Sequence, residues 1–250
     1  MSIVVIGGRG GIGRAFAQQL AERYPASRVF VTTRGSAGDA DRDVIGGVDV
    51  CDESSIAAAA ARVSSSLSVS TKDGTGVRLL VNCAGILRTD AGAMPERAIA
   101  QLNPNTMETH MRVNAIGAAL VAKHFAPLLI NFGASASAAS LSPPKLVNLS
   151  ARVSSIEDNR LGGWISYRAS KAAQNQITKT VALELKRDGV ICIGIHPGTV
   201  RTALSAPFKV HPDKTVEADQ AVSNMLAVID RLQLSDTGKL FAYDGSVIPW

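Results

Sequence analysis

The sequence predicts a doubly wound α/β domain with a parallel sheet of about seven strands. Short apolar runs alternate with longer helical patterns from one end to the other, the first run enters a glycine-rich turn directly, and no linker divides the 250 residues. A chain of this length can bury a substantial core as a single domain spanning 1–250. Apolar residues make up 46% and charged residues 19%, an ordinary globular composition.

The runs at 3–7, 28–33, 77–82, 145–150, 190–195 and 239–244 read as strands, with a weaker one at 44–48. Helical patterns fill 12–24, 53–67, 106–130, 165–187 and 216–232, and the alanine run at 57–61 suits a helix pressed on a sheet. Ser-, Gly- and Pro-rich stretches at 65–76 and 133–144 read as surface loops.

Several classes are disfavoured. Cys51, Cys83 and Cys192 are odd in number and far apart, against a disulfide framework or a zinc site. His110, His124, His196 and His211 show no metal-ligand spacing, so no metal is expected. The opening MSIVVIGGRGGIG has no cationic region before its apolar residues and reads as a strand rather than a secretory leader. A reducing cytoplasm is the expected compartment. No apolar run is expected to reach membrane-spanning length. The net charge of +5 is scattered, which does not support nucleic-acid binding but allows a phosphorylated small molecule.

In GGRGGIG, Gly7, Gly11 and Gly13 follow a strand and open a helix. Such a turn lets backbone amides approach a pyrophosphate, the signature of a dinucleotide site that also involves Ile12. About 20 residues on, where a carboxylate would bind an NAD ribose, stands Arg34. A guanidinium there suits a 2′-phosphate, with Arg9 as a second cation, so NADP is favoured. Asp39 or Asp41 reaching back to an NAD ribose is the alternative. VDVCD places Asp49 and Val50 at a weak strand end, and VNCAG places Asn82, Ala84 and Gly85 at another. Asn114 interrupts an apolar helix, where its amide competes for backbone bonds. In SYRASKAA, Tyr167 and Lys171 lie four residues apart and share a helix face.

In order, glycine turn, N-x-A-G, helical asparagine, serine, Y-x-x-x-K and P-G-x-V-x-T resemble the short-chain dehydrogenase/reductase family over essentially the whole chain. DNRLGGWISYRASKAA and DTGKLFAYDGSVIPW are similar to its small carbonyl-reductase branch, the sniffer-like and C-factor-like proteins. The resemblance implies a Rossmann fold, Tyr167 as general acid/base, Lys171 as its partner and ribose ligand, and Asn114 ordering a water behind the lysine. It also implies cofactor contacts from HPGTVRT, at Pro197, Gly198, Thr199, Val200 and Thr202, with His196 structural. The family's usual serine place, second in a pair closing the fifth strand, holds Ala151. Ser154 and Ser155, 13 and 12 residues before Tyr167, are therefore the expected hydrogen-bond donors to substrate.

The expected activity is hydride transfer between NADPH and a small ketone, aldehyde or quinone, with no membrane or nucleic-acid partner. Segments 86–102 and 203–212 are expected to line the pocket without diagnostic chemistry. By analogy with the family, the long helices pair subunits into a dimer or tetramer. Two rivals are a low-turnover cofactor-binding or redox-sensing protein on the same fold, and an epimerase or dehydratase. An intact Tyr167 and Lys171 speak against the first, and the glycine spacing and short C-terminal region against the second.

Overall fold

The computed structural model describes residues 2–37, 43–68, 76–135, 142–206 and 215–250. Asp39, Asp41, His211, most of the two expected loops and the end of the 203–212 segment lie outside them. The order is β1 (Ser2–Ile6), α1 (Gly11–Arg23), β2 (Arg28–Thr32), β3 (Val44–Ile45), α2 (Glu53–Ser68), β4 (Val77–Asn82) and α3 (Pro104–His110). A π-helical turn (Met111–Ile116) leads into α4 (Gly117–Ser135). Then come β5 (Lys145–Leu149), α5 (Ile165–Leu185), β6 (Ile191–His196), α6 (Ala218–Arg231), β7 (Leu240–Ala242) and β8 (Val247–Ile248).

The strands form one sheet in the order β3-β2-β1-β4-β5-β6-β7-β8, with β1 to β7 parallel and β8 antiparallel to β7. This single-domain arrangement is the Rossmann fold. Because β1 lies between β2 and β4, the connections run outward in both directions from it. A crevice therefore opens beyond the carboxyl ends of β1 and β4.

Two cores follow from the strand period of two. Val4 and Ile6 of β1 face one side, with Phe30, Ile56, Val63, Phe125 and Leu129. Ile3 and Val5 face the other, with Phe16, Leu20, Met225 and Ile229. Phe16 and Phe125 are fully buried, each burial contributing about 1.5–3 kcal/mol.

Three expectations are corrected. The sheet has eight strands among the described residues, since the expected run at 239–244 ends at Ala242 and a turn with Gly245 at φ 89° leads back into β8. The single helix expected at 106–130 is two α-helices joined by the π turn that carries Asn114. The run at 104–134 is long and apolar enough to cross a membrane, with a hydropathy of 1.6, but half of that window is buried in the fold.

The start of α5 has its own support. Gly162, Gly163 and Trp164 are all left-handed, with φ of 64°, 66° and 53°, and the tryptophan pays a steric cost that glycine avoids. Glu96, 4% exposed, holds it there. Its backbone oxygen accepts from Trp164 N at 2.5 Å, and its carboxylate accepts from the Ser166 amide at 3.3 Å and the Ser166 hydroxyl. A carboxylate at a helix N-terminus also meets the positive end of the helix dipole. Arg168 adds bonds to the Gly162, Gly163 and Val153 carbonyls. Glu96→Ala strands two buried donors of Ser166, so denaturant unfolding should show a loss of about 2 kcal/mol.

Candidate active site

At the end of β1 the chain turns through Gly7, whose φ of 74° is the left-handed region. The Gly7 amide donates to Thr32 Oγ1 at 3.2 Å, and Gly8 N donates to Thr32 O at 2.9 Å, which ties the turn to β2. A Cβ on Gly13 would lie 2.4 Å from Gly7 O, so only glycine lets α1 pack this closely on the turn. The glycine turn is thus compact, and it faces two hollows that share lining residues.

The first hollow, about 820 Å³, is lined by Gly7, Arg9, Gly10, Thr33, Arg34, Asp49, Val50, Ala84 and Gly85 among others. The second, about 670 Å³, is lined by Gly11, Ile12, Gly13, Ile86, Leu87, Leu149, Ser150, Tyr167, Lys171, Pro197, Thr202 and Leu204 among others. Arg34, Cys83, Ala84, Gly85, Thr89 and Asp90 belong to both. Thus the glycine turn and the Tyr167–Lys171 pair, 160 residues apart in sequence, open onto one continuous crevice.

Two cations stand at the β2 end. Arg34 pairs with Asp90 at 3.0 Å, with both side chains exposed. Arg9 donates to Ser36 O at 2.9 Å and its guanidinium lies against Gly35. An exposed ion pair is worth only about 0–1 kcal/mol, so Arg34 can exchange Asp90 for a stronger anion at little cost.

Asn82 does not itself line the crevice among the described residues. It is 1% exposed, accepts from Ala84 N at 3.1 Å and donates to Asn148 Oδ1 at 3.0 Å. Its part is to shape the turn that brings Ala84 and Gly85 to the crevice. Asn114 is likewise fully buried. Its Oδ1 accepts from Ile86 N at 2.8 Å, while its Nδ2 donates to Ile86 O at 2.9 Å and Ser170 Oγ at 3.0 Å. One amide thus clamps the loop after β4 to α5, and the π turn aims it.

Tyr167 is 9% exposed and packs with Leu87, Ala151, Val153 and Trp164, its ring edge-on to Trp164 and His110 at 6.2 Å each. Burial raises its pKa above the usual phenol value, so it stands protonated. Lys171 donates to Leu149 O and Gln174 Oε1, each at 2.9 Å. Burial pulls its pKa down to about 7, and the neighbouring Cys83, itself pushed up to about 12 by burial and so a neutral thiol at neutral pH, offsets this only in part. An ammonium beside a phenol favours the phenolate in principle. In this structure burial is the larger effect on the tyrosine.

The expectation for Ser154 and Ser155 is corrected by geometry. Ser154 donates to Ala151 O and accepts from Asn175 Nδ2 at 2.6 Å. Ser155 accepts from Asp158 N at 3.0 Å and faces Trp250 O at 3.4 Å. Neither lines the crevice, whereas Ser150 does, with its hydroxyl turned to Asn175 Oδ1 at 2.7 Å. Counting residues back to the tyrosine misleads because a short 3-10 turn at Arg152–Ser154 folds the chain away from the crevice. Ser150, which ends NLS, is the serine that reaches the crevice although a longer loop separates it from Tyr167.

In HPGTVRT, Pro197 and Thr202 reach the crevice. Gly198 has φ 81° and abuts the Tyr243 ring, and Thr199 to Arg201 pair with Val216. Gly198, Thr199 and Val200 are not among the residues that line the two hollows. His196 also stands outside them, kept neutral because burial lowers its pKa to about 4.

A parallel sheet with a glycine cradle, a crevice at its switch point and a tyrosine and lysine one turn apart defines a class of nucleotide-dependent oxidoreductases. The chain belongs to the short chain dehydrogenase family, whose profile matches residues 1–212. It is 28% identical over 252 residues to the 1-hydroxy-2-glutathionyl-2-methyl-3-butene dehydrogenase of Rhodococcus sp., covering 100% of this chain and 99% of that protein. Its structure is similar to the NADPH-bound carbonyl reductase from chicken fatty liver, with a TM-score of 0.86 and 29% identity over 100% of this chain and 94% of that one. The Drosophila melanogaster carbonyl reductase Sniffer shares the fold, with a TM-score of 0.83 and 21% identity, covering 100% and 99% of the two chains.

Because Ser154 serves the buried network, Ser154→Ala should cost about 1 kcal/mol of stability in chemical denaturation and leave kcat unchanged. A large loss of kcat in a fully folded variant would return this serine to the reaction.

Proposed function

We propose that this protein reduces the carbonyl group of a small ketone, aldehyde or quinone with NADPH, and that Tyr167 gives the new alcohol its proton. The observation that carries this reading is the shared crevice: the glycine cradle and Tyr167 with Lys171 open onto the same continuous hollow. The cradle suits a dinucleotide, since a Cβ on Gly11 would press on Thr202 at 2.9 Å and one on Gly7 would lie 3.2 Å from Ala84 N. Gly7, Gly10, Gly11 and Ile12 would hold the pyrophosphate, Asp49 and Val50 the adenosine end, and Ala84, Gly85, Pro197 and Thr202 the remainder. Arg34 and Arg9 would meet a 2′-phosphate. When bound, NADPH supplies the hydride.

The protein's own residues supply position and the proton. A buried tyrosine held as the phenol is a proton donor ready at neutral pH. The phenolate left behind is stabilised by Lys171 in its ammonium form. With the hydroxyls of Ser150, Ser154 and Ser155 all engaged, Tyr167 is the proposed hydrogen-bond donor to the reacting oxygen. Ile86, Leu87, Leu149 and Leu204 make that part of the crevice apolar, which suits an uncharged carbonyl compound. The reverse oxidation of an alcohol follows the same path, and the Rhodococcus relative is named for a dehydrogenase. Pairing of subunits through the long helices follows the family habit.

NADPH consumption across a panel of carbonyl compounds separates an enzyme from a cofactor sensor: turnover supports the proposal, and tight binding with none supports the sensor. Tyr167→Phe should lower kcat by about 10²-fold or more, the usual range for a lost general acid, with cofactor affinity nearly intact. Arg34→Asp should swing the ratio of kcat/KM for NADPH over NADH by about tenfold or more toward NADH. An unchanged ratio would overturn the phosphate assignment.

A further inference from the structure

Gln174 is fully buried on α5, one turn beyond Lys171. Its Oε1 accepts from Lys171 Nζ at 2.9 Å, and among the described residues its Nε2 has no hydrogen-bond partner. An ammonium only donates, so the amide must turn its oxygen to the lysine and leave its own two protons unused. A buried donor without an acceptor destabilises the fold, and an apolar side chain of the same size would avoid that cost. The position therefore uses the one thing an apolar residue lacks, an acceptor for Lys171.

We propose that Gln174 is a positioning residue that holds the Lys171 side chain in its ammonium form and aims it into the crevice. The titratable groups facing the ammonium are the Cys83 thiol at the end of β4 and the Tyr167 phenol on its own helix. Asn114 from the π turn, beside Lys171 across Gly85, and Ser150 at the end of β5 are neutral. No carboxylate is among these neighbours. Two carbonyl oxygens, Leu149 O and Gln174 Oε1, stabilise the cation against burial. They occupy two of its three N–H groups and leave the third for the crevice.

Burial already brings the Lys171 pKa to about 7, so at neutral pH a small change in its surroundings alters how much of it is charged. A hydrogen bond to the charged form favours that form, and losing one should move the titration by about one pH unit. A neutral amine cannot stabilise the Tyr167 phenolate, so Gln174 acts on the proton donor through the lysine. The inference rests on the Tyr167–Lys171 reading above.

The test is a pH titration of the Lys171 ε-methylene signal in ¹³C-lysine-labelled protein without cofactor or substrate, assigned with Lys171→Met. Gln174→Met keeps the volume and removes the acceptor, and should lower the Lys171 midpoint by about one pH unit. Gln174→Glu should raise it. The pH profile of kcat/KM should move in the same directions, with Gln174→Glu restoring much of what Gln174→Met loses. An unmoved midpoint in a folded Gln174→Met overturns the proposal, as does a loss of activity without a change in pH profile. If Gln174→Met does not fold, the Gln174→Glu titration decides alone. The titration needs no turnover, so it can fail while Tyr167 remains the acid, and Tyr167 can prove dispensable while the titration succeeds.

Discussion

The site depends on a seam of buried polar side chains between the sheet and α5. Asn82 donates to Asn148, Asn148 donates to Thr178 at 2.9 Å, and Thr178 donates to the Gln174 carbonyl at 2.8 Å. Ser150, Asn175 and Ser154 form a second chain beside it. Apolar packing tolerates small slides, but a buried amide without its partner costs about 1–3 kcal/mol. The seam therefore sets α5 in one register on β4 and β5. That register carries Tyr167 and Lys171 to the crevice rather than beneath it.

The two ends of α5 are treated differently. Its N-terminal entry, in a conformation tryptophan resists, is fixed by Glu96 and Arg168. Further along, Asn114 binds Ser170 and the Ile86 backbone together. Tyr167 and Lys171 thus project from a stretch of helix held on three sides, by the loop after β4, by the π turn and by the end of β5. General acid catalysis gains from such rigidity, because the donor must already lie where the developing oxyanion forms.

Much of this was legible in the sequence. The unbroken apolar run Ile3, Val4, Val5 and Ile6 announces a strand buried on both faces, and its passage into Gly7 announces a tight turn. Tyr167 and Lys171 could be paired from helical spacing alone. The rest depended on features that leave no periodic mark. The π turn at Met111–Ile116 spans only six residues between two helices, too short a break to stand out from the helical pattern on either side. The direction of the Ser154 hydroxyl follows from a 3-10 turn and from Asn175, 21 residues beyond it, and that of Ser155 from Asp158 and from Trp250, 95 residues away. The Arg34–Asp90 pair spans 56 residues, and no local spacing announces it.

Among the described residues Ser150 is the serine that lines the second hollow, and its hydroxyl is engaged by Asn175, so the proposed proton donation depends on where the Tyr167 oxygen stands relative to the bound nucleotide. The most direct measurement is a crystal structure with NADP and an alcohol product. The account predicts the adenosine end beside Arg9 and Arg34, the pyridine ring between Thr202 and Lys171, and the product oxygen in hydrogen-bond contact with the Tyr167 phenol. A nucleotide bound outside the crevice, or a product oxygen held by another side chain with Tyr167 turned away, would contradict it.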